Sequence, residues 1–486
     1  LQLILCLSIL VIVHEFGHYI AAKIFKTRVT KFYIFFHPKF SLMRVKRING
    51  KLQWRFFAKN LDDSELVVDS EGKPILNEKK QKQYKPIDID TLPEGDWRRY
   101  PDNTEFGIGW VPLGGYCAIA GMVDETQSAE DLASEPQPYE YRSKPAWQRL
   151  IIILGGVIMN VITAMVIYTG LLAHFGETYL PNKNVKYGIT VDSLGYEMGL
   201  RNGDFIISVD NVEVDDFYAI PQAILLNRAE TIQVLRDGET IDVEIPSSTI
   251  AKLMKVTKVT LISPRTPFIV GGFGDDSPAK ESGIMVDDKI VKVDGMMTEY
   301  FDQFKEAVTE KRGQNIVVSV LRNGDTLDFP VRVSDEGMVG IYANNAGVFD
   351  FESIDYNIIQ AIPAGCKQAF TQIGSYVKSL RLLFIPETKG YESLGSFISI
   401  GNIFPSTWDW GAFWQLTAFI SIILAIMNIL PIPALDGGYA LLLIYEMITR
   451  RKPSDKFMER AVTIGWLFLL ALLVIATWND LTKFVF

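Results

Sequence analysis

Long apolar runs alternate with polar stretches along this chain, and four of the runs reach the length needed to cross a membrane. Charged residues are scarce within them, so the pattern predicts transmembrane helices. The predicted spans are 1–24, 148–175, 413–438 and 460–479. Trp and Tyr residues cluster near several span ends, which is typical of the interface between a membrane and water.

Basic residues predict the orientation of these spans. Lysines and arginines follow the first span, precede the second and fill the segment between the third and fourth. Such clusters mark the cytoplasmic side of a membrane. We therefore expect the long segment from about 176 to 410, and the C-terminus, to lie on the other side.

Residues 25–147 are expected to form a cytoplasmic β region. Polar and apolar side chains alternate in 29–57, a pattern that predicts strands. A polar insertion follows at about 59–105, for which we expect a solvated conformation. The segment 107–116 is apolar, rich in glycine and too short to span. It predicts a β-hairpin, either dipping into protein-shielded membrane or packed on the surface.

An internal repeat occupies the segment between the second and third spans. The run 199–210 recurs at 283–294, and the run 234–240 recurs at 320–326. Short strands and Asn-Gly or Asp-Gly turns predict one small β-rich domain per copy, at 177–248 and 257–335. The residues that follow, 336–412, are mixed and partly amphipathic, as in a segment along a membrane surface.

The first span carries two histidines and a glutamate within five residues. His14 and His18 are four apart, so in a helix both imidazoles lie on one face and can bind one metal ion. Glu15 is then placed to act as a base toward water at that ion. The alternative is a pair of partly buried polar side chains. Metal binding is favoured because ionisable residues are costly in a membrane and this chain has only four histidines.

The third span ends in a run that cannot stay helical and that contains one carboxylate. Pro431, Pro433 and a pair of glycines break the helix around Asp436. An unpaired carboxylate among apolar residues needs a cation. Asp436 is therefore predicted to be the third metal ligand, with the N-cap of a helix at 438–449 as the alternative.

The second span contains Asn160, a polar residue that needs a partner in hydrocarbon. It can bond a neighbouring helix or help to line a site. Gly155 and Gly156 precede it and predict close contact with another helix.

Composition excludes several other classes of protein. The net charge of −9 gives no sign of nucleic-acid binding. Three cysteines, far apart, form neither a disulfide framework nor a thiolate zinc site. A hydrophobic content of 48% and a mean hydropathy of +0.15 indicate a protein that combines membrane spans with soluble domains.

These features together resemble the site-2 protease family of intramembrane zinc metalloproteases, and within it the bacterial RseP-like group with tandem PDZ domains. The resemblance rests on the His14-Glu15-Phe16-Gly17-His18 run, the Leu435-Asp436-Gly437-Gly438 run and the repeat, whose copies resemble PDZ domains. It implies a polytopic α-helical membrane protein with four transmembrane helices, a membrane re-entrant β-hairpin at 112–116 and two extracytoplasmic β-rich PDZ domains.

The resemblance also implies the chemistry of the site. Zn²⁺ is expected to be held by His14, His18 and Asp436, with Glu15 as the catalytic acid and base. The expected substrate-binding residues are Asn428, Pro431, Asn160, Gly114 and Gly115. Val157 departs from the family pattern, which has proline there, and Ile423 stands where the family often has asparagine.

The expected function is hydrolysis of a peptide bond in or near the transmembrane segment of single-span proteins in the bacterial inner membrane. The active site is expected toward the cytoplasm and the PDZ pair in the periplasm, where it binds peptide or excludes bulky ectodomains. Pre-trimmed anti-sigma factors and signal-peptide remnants are candidate substrates. Two alternatives are a non-enzymatic PDZ scaffold and a metal transporter. The scaffold leaves the intramembrane histidines and Asp436 unexplained, and three strong ligands suit a retained ion better than a transported one.

Overall fold

Two units, one built on long apolar helices and one on short strands, make up the chain. The computed structural model describes residues 1–61, 64–66, 84–87, 89–122, 135–255, 261–383, 385 and 394–484. The helical unit comprises Leu1–His174, Asn357–Gly374 and Gly395–Phe486. The repeat unit comprises Phe175–Tyr356 and Ser375–Leu394.

The helical unit begins with an apolar helix followed by a β-sheet. The helix is α1 (Gln2–Ile24). The strands are β1 (Val29–Phe36), β2 (Phe40–Ile48), β3 (Lys51–Lys59), β4 (Ser64–Leu66), β5 (Tyr84–Pro86), β6 (Glu105–Ile108) and β7 (Val111–Ile119). Five of them form one sheet in the order β3-β2-β6-β1-β7, while β4 and β5 pair with each other. Asn49 and Gly50 both have positive φ and make the tight turn from β2 to β3.

The two faces of the five-stranded sheet differ in polarity. On one face, the rings of Phe32 and Phe106 lie 5.8 and 5.6 Å from the ring of Tyr19 on α1. On the other face, the Tyr33 hydroxyl donates a hydrogen bond to the buried carboxylate of Glu105. Successive side chains on a strand point to opposite faces, so this alternation places the apolar face against α1.

The apolar segment 107–116 is not the two-stranded hairpin expected from the sequence. β1 lies between β6 and β7, parallel to the first and antiparallel to the second. Gly109, between β6 and β7, lets the chain pass close to the end of β1, because a Cβ there would lie 2.2 Å from the carbonyl oxygen of Phe36. β7 consequently lies at one end of the sheet order.

Part of the polar insertion predicted at about 59–105 lies outside the described residues. Near its end, Trp97 is fully buried, in contrast to the solvated conformation expected. Its indole N–H donates to Gln53 on β3 at 2.9 Å, and the Arg55 guanidinium lies 4.4 Å from a ring centroid of Trp97. This part of the insertion therefore covers the polar face of the sheet.

The second long helix, α2 (Ala146–Phe175), touches α1 backbone to backbone. A Cβ on Gly17 of α1 would lie 2.1 Å from the carbonyl oxygen of Gly155 on α2. Only glycines allow helices to approach so closely. The contact agrees with the prediction made from the glycine pair of the second span.

The repeat unit contains two copies of one β-rich fold, called copy 1 and copy 2. Its elements are β8 (Glu177–Tyr179), β9 (Ile189–Val191), α3 (Ser193–Glu197), β10 (Phe205–Val209), α4 (Ile220–Asn227), β11 (Thr231–Arg236), β12 (Glu239–Glu244), α5 (Ser247–Lys255), β13 (Ile262–Pro264), β14 (Val270–Phe273), α6 (Pro278–Glu281), β15 (Lys289–Val293), β16 (Met296–Met297), α7 (Phe301–Thr309), β17 (Asn315–Arg322), β18 (Asp325–Arg332), β19 (Ile341–Ala343) and β20 (Glu352–Ile354). The main sheets are β10-β11-β12 in copy 1 and β16-β15-β17-β18 in copy 2.

The two copies share an ion pair on a buried aspartate as well as a fold. In copy 1, Arg236 Nε donates to Asp204 Oδ1 at 2.7 Å, and in copy 2, Arg322 Nε donates to Asp288 Oδ1 at 2.7 Å. Each copy also has its own core of buried apolar side chains. The repeat in the sequence is therefore a repeat of the fold.

Each copy extends beyond the boundaries expected from the sequence, 177–248 and 257–335. β13 pairs with β9 and so belongs to copy 1, while β19 pairs with β14 and so belongs to copy 2. Both strands are short and lie far along the chain from their partners. The repeated motifs alone did not reveal them.

Five helices lie in the described part of the chain after the repeat. They are α8 (Ile358–Leu383), α9 (Phe397–Ile403), α10 (Trp410–Ile429), α11 (Asp436–Thr449) and α12 (Asp455–Phe484). In the described part of the chain, four helices are long and apolar enough to span a membrane, namely α1, α2, α10 and the Arg460–Phe484 part of α12. The third predicted span, 413–438, divides because the proline-containing stretch 430–435 separates α10 from α11.

Packing of α10 brings distant parts of the helical unit together. Leu10 of α1 is buried in one apolar cluster with Phe413 and Ile420 of α10. On α10, the Ser421 hydroxyl donates to the backbone oxygen of Asn160 on α2 at 2.8 Å. Helices α1, α2 and α10 therefore meet, and α11 starts beside them.

Candidate metal centre

Three side chains from two distant helices converge in the helical unit. His14 and His18 lie one turn apart on α1, and Asp436 is the first residue of α11. Asp436 Oδ2 is 3.2 Å from His14 Nε2 and 3.6 Å from His18 Nε2, and the two Nε2 atoms are 3.3 Å apart. We call these three atoms the donor triangle.

The size and chemistry of the donor triangle fit one zinc ion. Two ligands bonded at tetrahedral angles to zinc, at about 2.0–2.2 Å, lie about 3.4 Å from each other. The three measured separations are close to this value. Two imidazole nitrogens and one carboxylate oxygen are also a known ligand set of catalytic zinc, which keeps a fourth position open.

Gly156 of α2 gives the two imidazole rings their room. A Cβ at this position would lie 2.5 Å from His14 Cε1 and 2.6 Å from His18 Nε2. Any larger residue would therefore push into the donor triangle. The glycine pair of α2 thus has two roles, since Gly155 allows the close contact of the helices and Gly156 leaves space for the site.

The second ring nitrogen of each histidine is held by α2. His18 Nδ1 lies 2.9 Å from the backbone oxygen of Ile152, and a carbonyl only accepts, so this nitrogen carries the proton. The lone pair of His18 Nε2 is then free to face Asp436. His14 Nδ1 lies 3.3 Å from the side-chain amide of Asn160.

A tight reversal of the chain delivers Asp436 to the histidines. Ala434 has a φ of +86°, and Gly437 and Gly438 lie so close to the preceding turn that a Cβ would meet the oxygens of Ile429 and Ile432 at 2.3 and 2.4 Å. The N-cap of α11 is Leu435, so Asp436 is not the N-cap considered as the alternative. Among the described residues, Asp436 Oδ2 is buried without a hydrogen-bond donor.

Two other predicted residues neighbour His14, one in the sequence and one in space. Glu15 follows His14 on α1 and is partly exposed. The side-chain amide of Asn428, near the end of α10, lies 3.5 Å from His14 Nε2. Pro431 is exposed in the stretch between α10 and α11.

The predicted glycines of β7 lie beside α1. Gly114 has a φ of +87°, which favours glycine. A Cβ on Gly115 would lie 3.2 Å from the side chain of Val11, one helical turn before His14. The strand at the end of the sheet thus runs close to the helix that carries the histidines.

Sequence reasoning missed three contacts around the site, and two of them have little signal in the sequence. The Ile152 carbonyl is a backbone group, and Ser421 is one hydroxyl in an apolar helix. Arg149 of α2 forms an ion pair with Glu446 of α11, with Nη2 and Oε1 2.6 Å apart. Glu446 had a usable signal, since an acidic residue in an apolar helix needs a partner.

Comparison with known proteins agrees with this geometry. The sequence pattern of Peptidase family M50 matches residues 2–59 and 97–472. The chain is 26% identical to a Vibrio cholerae serotype O1 protein named as a zinc metalloprotease, over 99% of this chain and 97% of the relative. It is 25% identical to the regulator of sigma-E protease RseP of Escherichia coli K12, over 99% of this chain and 97% of that protein. The regulator of sigma E protease of Haemophilus influenzae is 24% identical, over 99% and 98%.

The family pattern covers most of the chain, including both helices from which the donor triangle is built. The two parts of the match are separated by residues 60–96, which fall within the polar insertion. Helices α1, α2 and α10 and the β-rich copies lie inside the matched ranges, which end within α12. The chain therefore belongs to Peptidase family M50, the site-2 protease family, and is a zinc metalloprotease.

Proposed function

We propose that this zinc metalloprotease hydrolyses a peptide bond in or near the transmembrane segment of single-span membrane proteins. The location of the donor triangle carries the proposal. His14 and His18 lie within a helix apolar enough to span a membrane, and Asp436 follows a second such helix. A hydrolytic site so placed suits a bond that a soluble protease cannot reach.

In this proposal His14, His18 and Asp436 hold Zn²⁺ and Glu15 moves the protons. A zinc ion held there would supply a Lewis acid for the scissile carbonyl and would lower the pKa of a water molecule. Glu15 accepts a proton from the attacking water and delivers it to the leaving amine. Its position next to His14 on α1 supports this role.

Asn428 and Pro431 handle the substrate at the end of α10. The Asn428 amide, 3.5 Å from His14 Nε2, can donate a hydrogen bond to the carbonyl oxygen of the bond to be cleaved. Pro431 keeps the stretch after α10 out of helical conformation and is exposed there. A substrate can therefore approach along this stretch.

β7 holds the substrate in extended form. A transmembrane helix hides its amide groups in internal hydrogen bonds, so a protease must first unwind it. An added strand can pair with an exposed sheet edge, and β7 lies at one end of the sheet order. Gly115, next to Val11, would bring such a strand past the histidines. We infer that β7, with Gly114 and Gly115, is a membrane re-entrant element.

The two copies of the repeat act as PDZ domains on the periplasmic side of the inner membrane. Basic residues lie after α1, before α2 and between α11 and α12. They support a cytoplasmic location for these helix ends. The active site then lies toward the cytoplasm. The PDZ pair binds peptide or keeps bulky ectodomains away from the site, and the lipid bilayer is the other partner.

Single-span proteins already trimmed outside the membrane are the proposed substrates. Anti-sigma factors and signal-peptide remnants belong to this class. The names of the Escherichia coli and Haemophilus influenzae relatives refer to regulation of sigma-E, which supports the first group.

The test is cleavage of a reporter single-span protein by the full-length chain in lipid vesicles. Glu15→Gln should abolish cleavage while zinc stays near one ion per chain, and exposed Glu94→Gln is the matched control. Cleavage by Glu15→Gln at the wild-type rate would refute the assigned role. Zinc flux without proteolysis would favour the transporter, and a wild-type chain with neither zinc nor cleavage would favour the scaffold.

A further inference from the structure

Asn160 reaches His14 through the ring nitrogen that does not face Asp436. The side chain of Asn160 is fully buried, and its amide lies 3.3 Å from His14 Nδ1. A residue with no exposed surface cannot touch a substrate in this arrangement of the helices. The geometry therefore favours a role toward His14 over the substrate contact expected from the sequence.

The role of His14 as a ligand decides which atom Asn160 must present. When Nε2 gives its lone pair to a metal ion, a neutral imidazole carries its proton on Nδ1, which then donates a hydrogen bond. The partner of Nδ1 must therefore be an acceptor. For His18 the Ile152 backbone oxygen is that acceptor, at 2.9 Å. For His14 the group in reach is the Asn160 amide, whose acceptor is Oδ1.

A half turn of the Asn160 amide brings this acceptor into place. In the structure Nδ2 faces His14, while Oδ1 has no hydrogen-bond partner among the described residues. Exchanging the two atoms therefore breaks no hydrogen bond made by Oδ1, and it needs no movement of α2. The backbone of Asn160 is held independently, because Ser421 Oγ donates to its carbonyl oxygen at 2.8 Å.

We propose that Asn160 is a positioning residue whose Oδ1 accepts a hydrogen bond from His14 Nδ1 in the zinc-loaded protease. α2 then fixes the tautomer and tilt of both histidines, His18 through a backbone carbonyl and His14 through a side-chain amide. This inference rests on the proposed function, since it requires His14 to be a zinc ligand.

Zinc affinity of the purified full-length chain, measured by competition with a chromophoric chelator, tests the proposal. Asn160→Leu keeps the branching at Cγ and removes the acceptor, so zinc should bind about 10 to 100-fold more weakly. Asn160→Asp keeps an oxygen acceptor and should stay close to wild type. Ser421→Ala is the matched control, because it removes a hydrogen bond to the backbone of the same residue and leaves its side chain intact.

Two outcomes would overturn the role of Asn160. One is wild-type zinc affinity in a folded Asn160→Leu chain, and the other is an Asn160→Asp chain that binds zinc as weakly as Asn160→Leu. If Asn160→Leu does not fold, nuclear magnetic resonance of the zinc-loaded wild type with isotope-labelled histidine decides. A proton on His14 Nδ1 supports the proposal, and zinc bonded to His14 Nδ1 overturns it.

The failure of this inference differs from the failure of the proposed function. A wild-type chain that binds zinc and cleaves the reporter, with unchanged zinc affinity in Asn160→Leu, refutes only the role of Asn160. A wild-type chain whose zinc binding does not depend on His14 refutes the proposed metal site and the inference with it.

Discussion

Asp436 Oδ2 lies 3.2 Å from His14 Nε2, although Asp436 follows the third apolar span and His14 lies in the first. Nothing local brings them together. The contact depends on α10, whose Phe413 packs in one cluster with Leu10 of α1. The donor triangle is therefore a product of helix packing, and ligand loss and packing defects should have separable effects.

Asp436→Asn should reduce the bound zinc to well below one ion per chain. The change replaces a charged carboxylate with a neutral amide, which is a much weaker ligand for zinc. Elemental analysis of the purified chain gives the zinc content. Asp409→Asn is the matched control, because Asp409 caps α10 through the Ala412 N–H and lies outside the donor triangle. It should keep the zinc and change stability little, because asparagine caps a helix about as well as aspartate does. Full zinc binding by Asp436→Asn would mean that the third ligand is another residue.

Gly156→Ala should abolish both zinc binding and cleavage. The new methyl group would meet the ring of His14 at 2.5 Å and Nε2 of His18 at 2.6 Å, so the rings must move apart. Gly170→Ala in the same helix is the control, since a Cβ there meets nothing within 4 Å. Chelator competition and reporter cleavage measure the two effects. Equal zinc affinity in both variants would show that the rings can shift without loss of the site.

The spans could be predicted because a long apolar run determines a membrane helix almost by itself. The order of the strands in the five-stranded sheet could not be predicted. The glycine-rich segment 107–116 suggested a local hairpin, but β1 lies between β6 and β7. Pairing between strands far apart in the chain leaves no mark on the spacing of apolar residues, and the same holds for β13 and β19.

The ligands of the metal site could be predicted because ionisable side chains are unusual in apolar runs. The spacing of His14 and His18, and a lone carboxylate at Asp436, are visible in the sequence. The groups that hold these ligands in place are not visible in the sequence. The acceptor for His18 is the backbone of Ile152, and any residue type supplies a carbonyl. Asn160 was noticed as a polar residue, but its neighbour could be known only from the packing of α1 on α2.

Copy 2 of the repeat should lose stability as the pH falls below about 4, the ordinary range for aspartate. Burial alone would raise the pKa of Asp288, but hydrogen bonds from Arg322 and from the Met285 N–H outweigh it and hold the pKa below its usual value. A depressed pKa stabilises the fold above the unfolded value, and this contribution is lost as the pH falls through the folded value.

Calorimetric unfolding of the full-length chain between about pH 3 and pH 6 measures this effect. This range includes the ordinary aspartate pKa of about 3.9. Asp288→Asn should lower stability at neutral pH and weaken the pH dependence of the transition assigned to copy 2. Asp328→Asn, on an exposed part of β18, is the control and should leave the profile unchanged. An unchanged pH profile in Asp288→Asn would remove Asp288 as its source.

Glu446→Gln should destabilise the helical unit by about 3–5 kcal/mol, because it leaves Arg149 buried without its counter-charge. The side chains of Arg149 and Glu446 are only 10% and 13% exposed. The pair borders a cavity of about 330 Å³ between the ends of α2 and α11. Close packing therefore does not fill this region, and the ion pair adds to an apolar cluster that includes Ile153 and Leu443 and also joins the two helices.

Denaturant unfolding followed by tryptophan fluorescence measures the change, since Trp147 lies two residues before Arg149. The double variant Arg149→Met with Glu446→Leu should recover much of the lost stability, because no unpaired charge remains. Glu197→Gln is the control, as Glu197 pairs with Lys252 on the surface, where such a pair contributes about 0–1 kcal/mol. If Glu446→Gln proves neutral and the double variant is the less stable of the two, apolar contacts around Ile153 and Leu443 hold α11 on α2, and the ion pair does not.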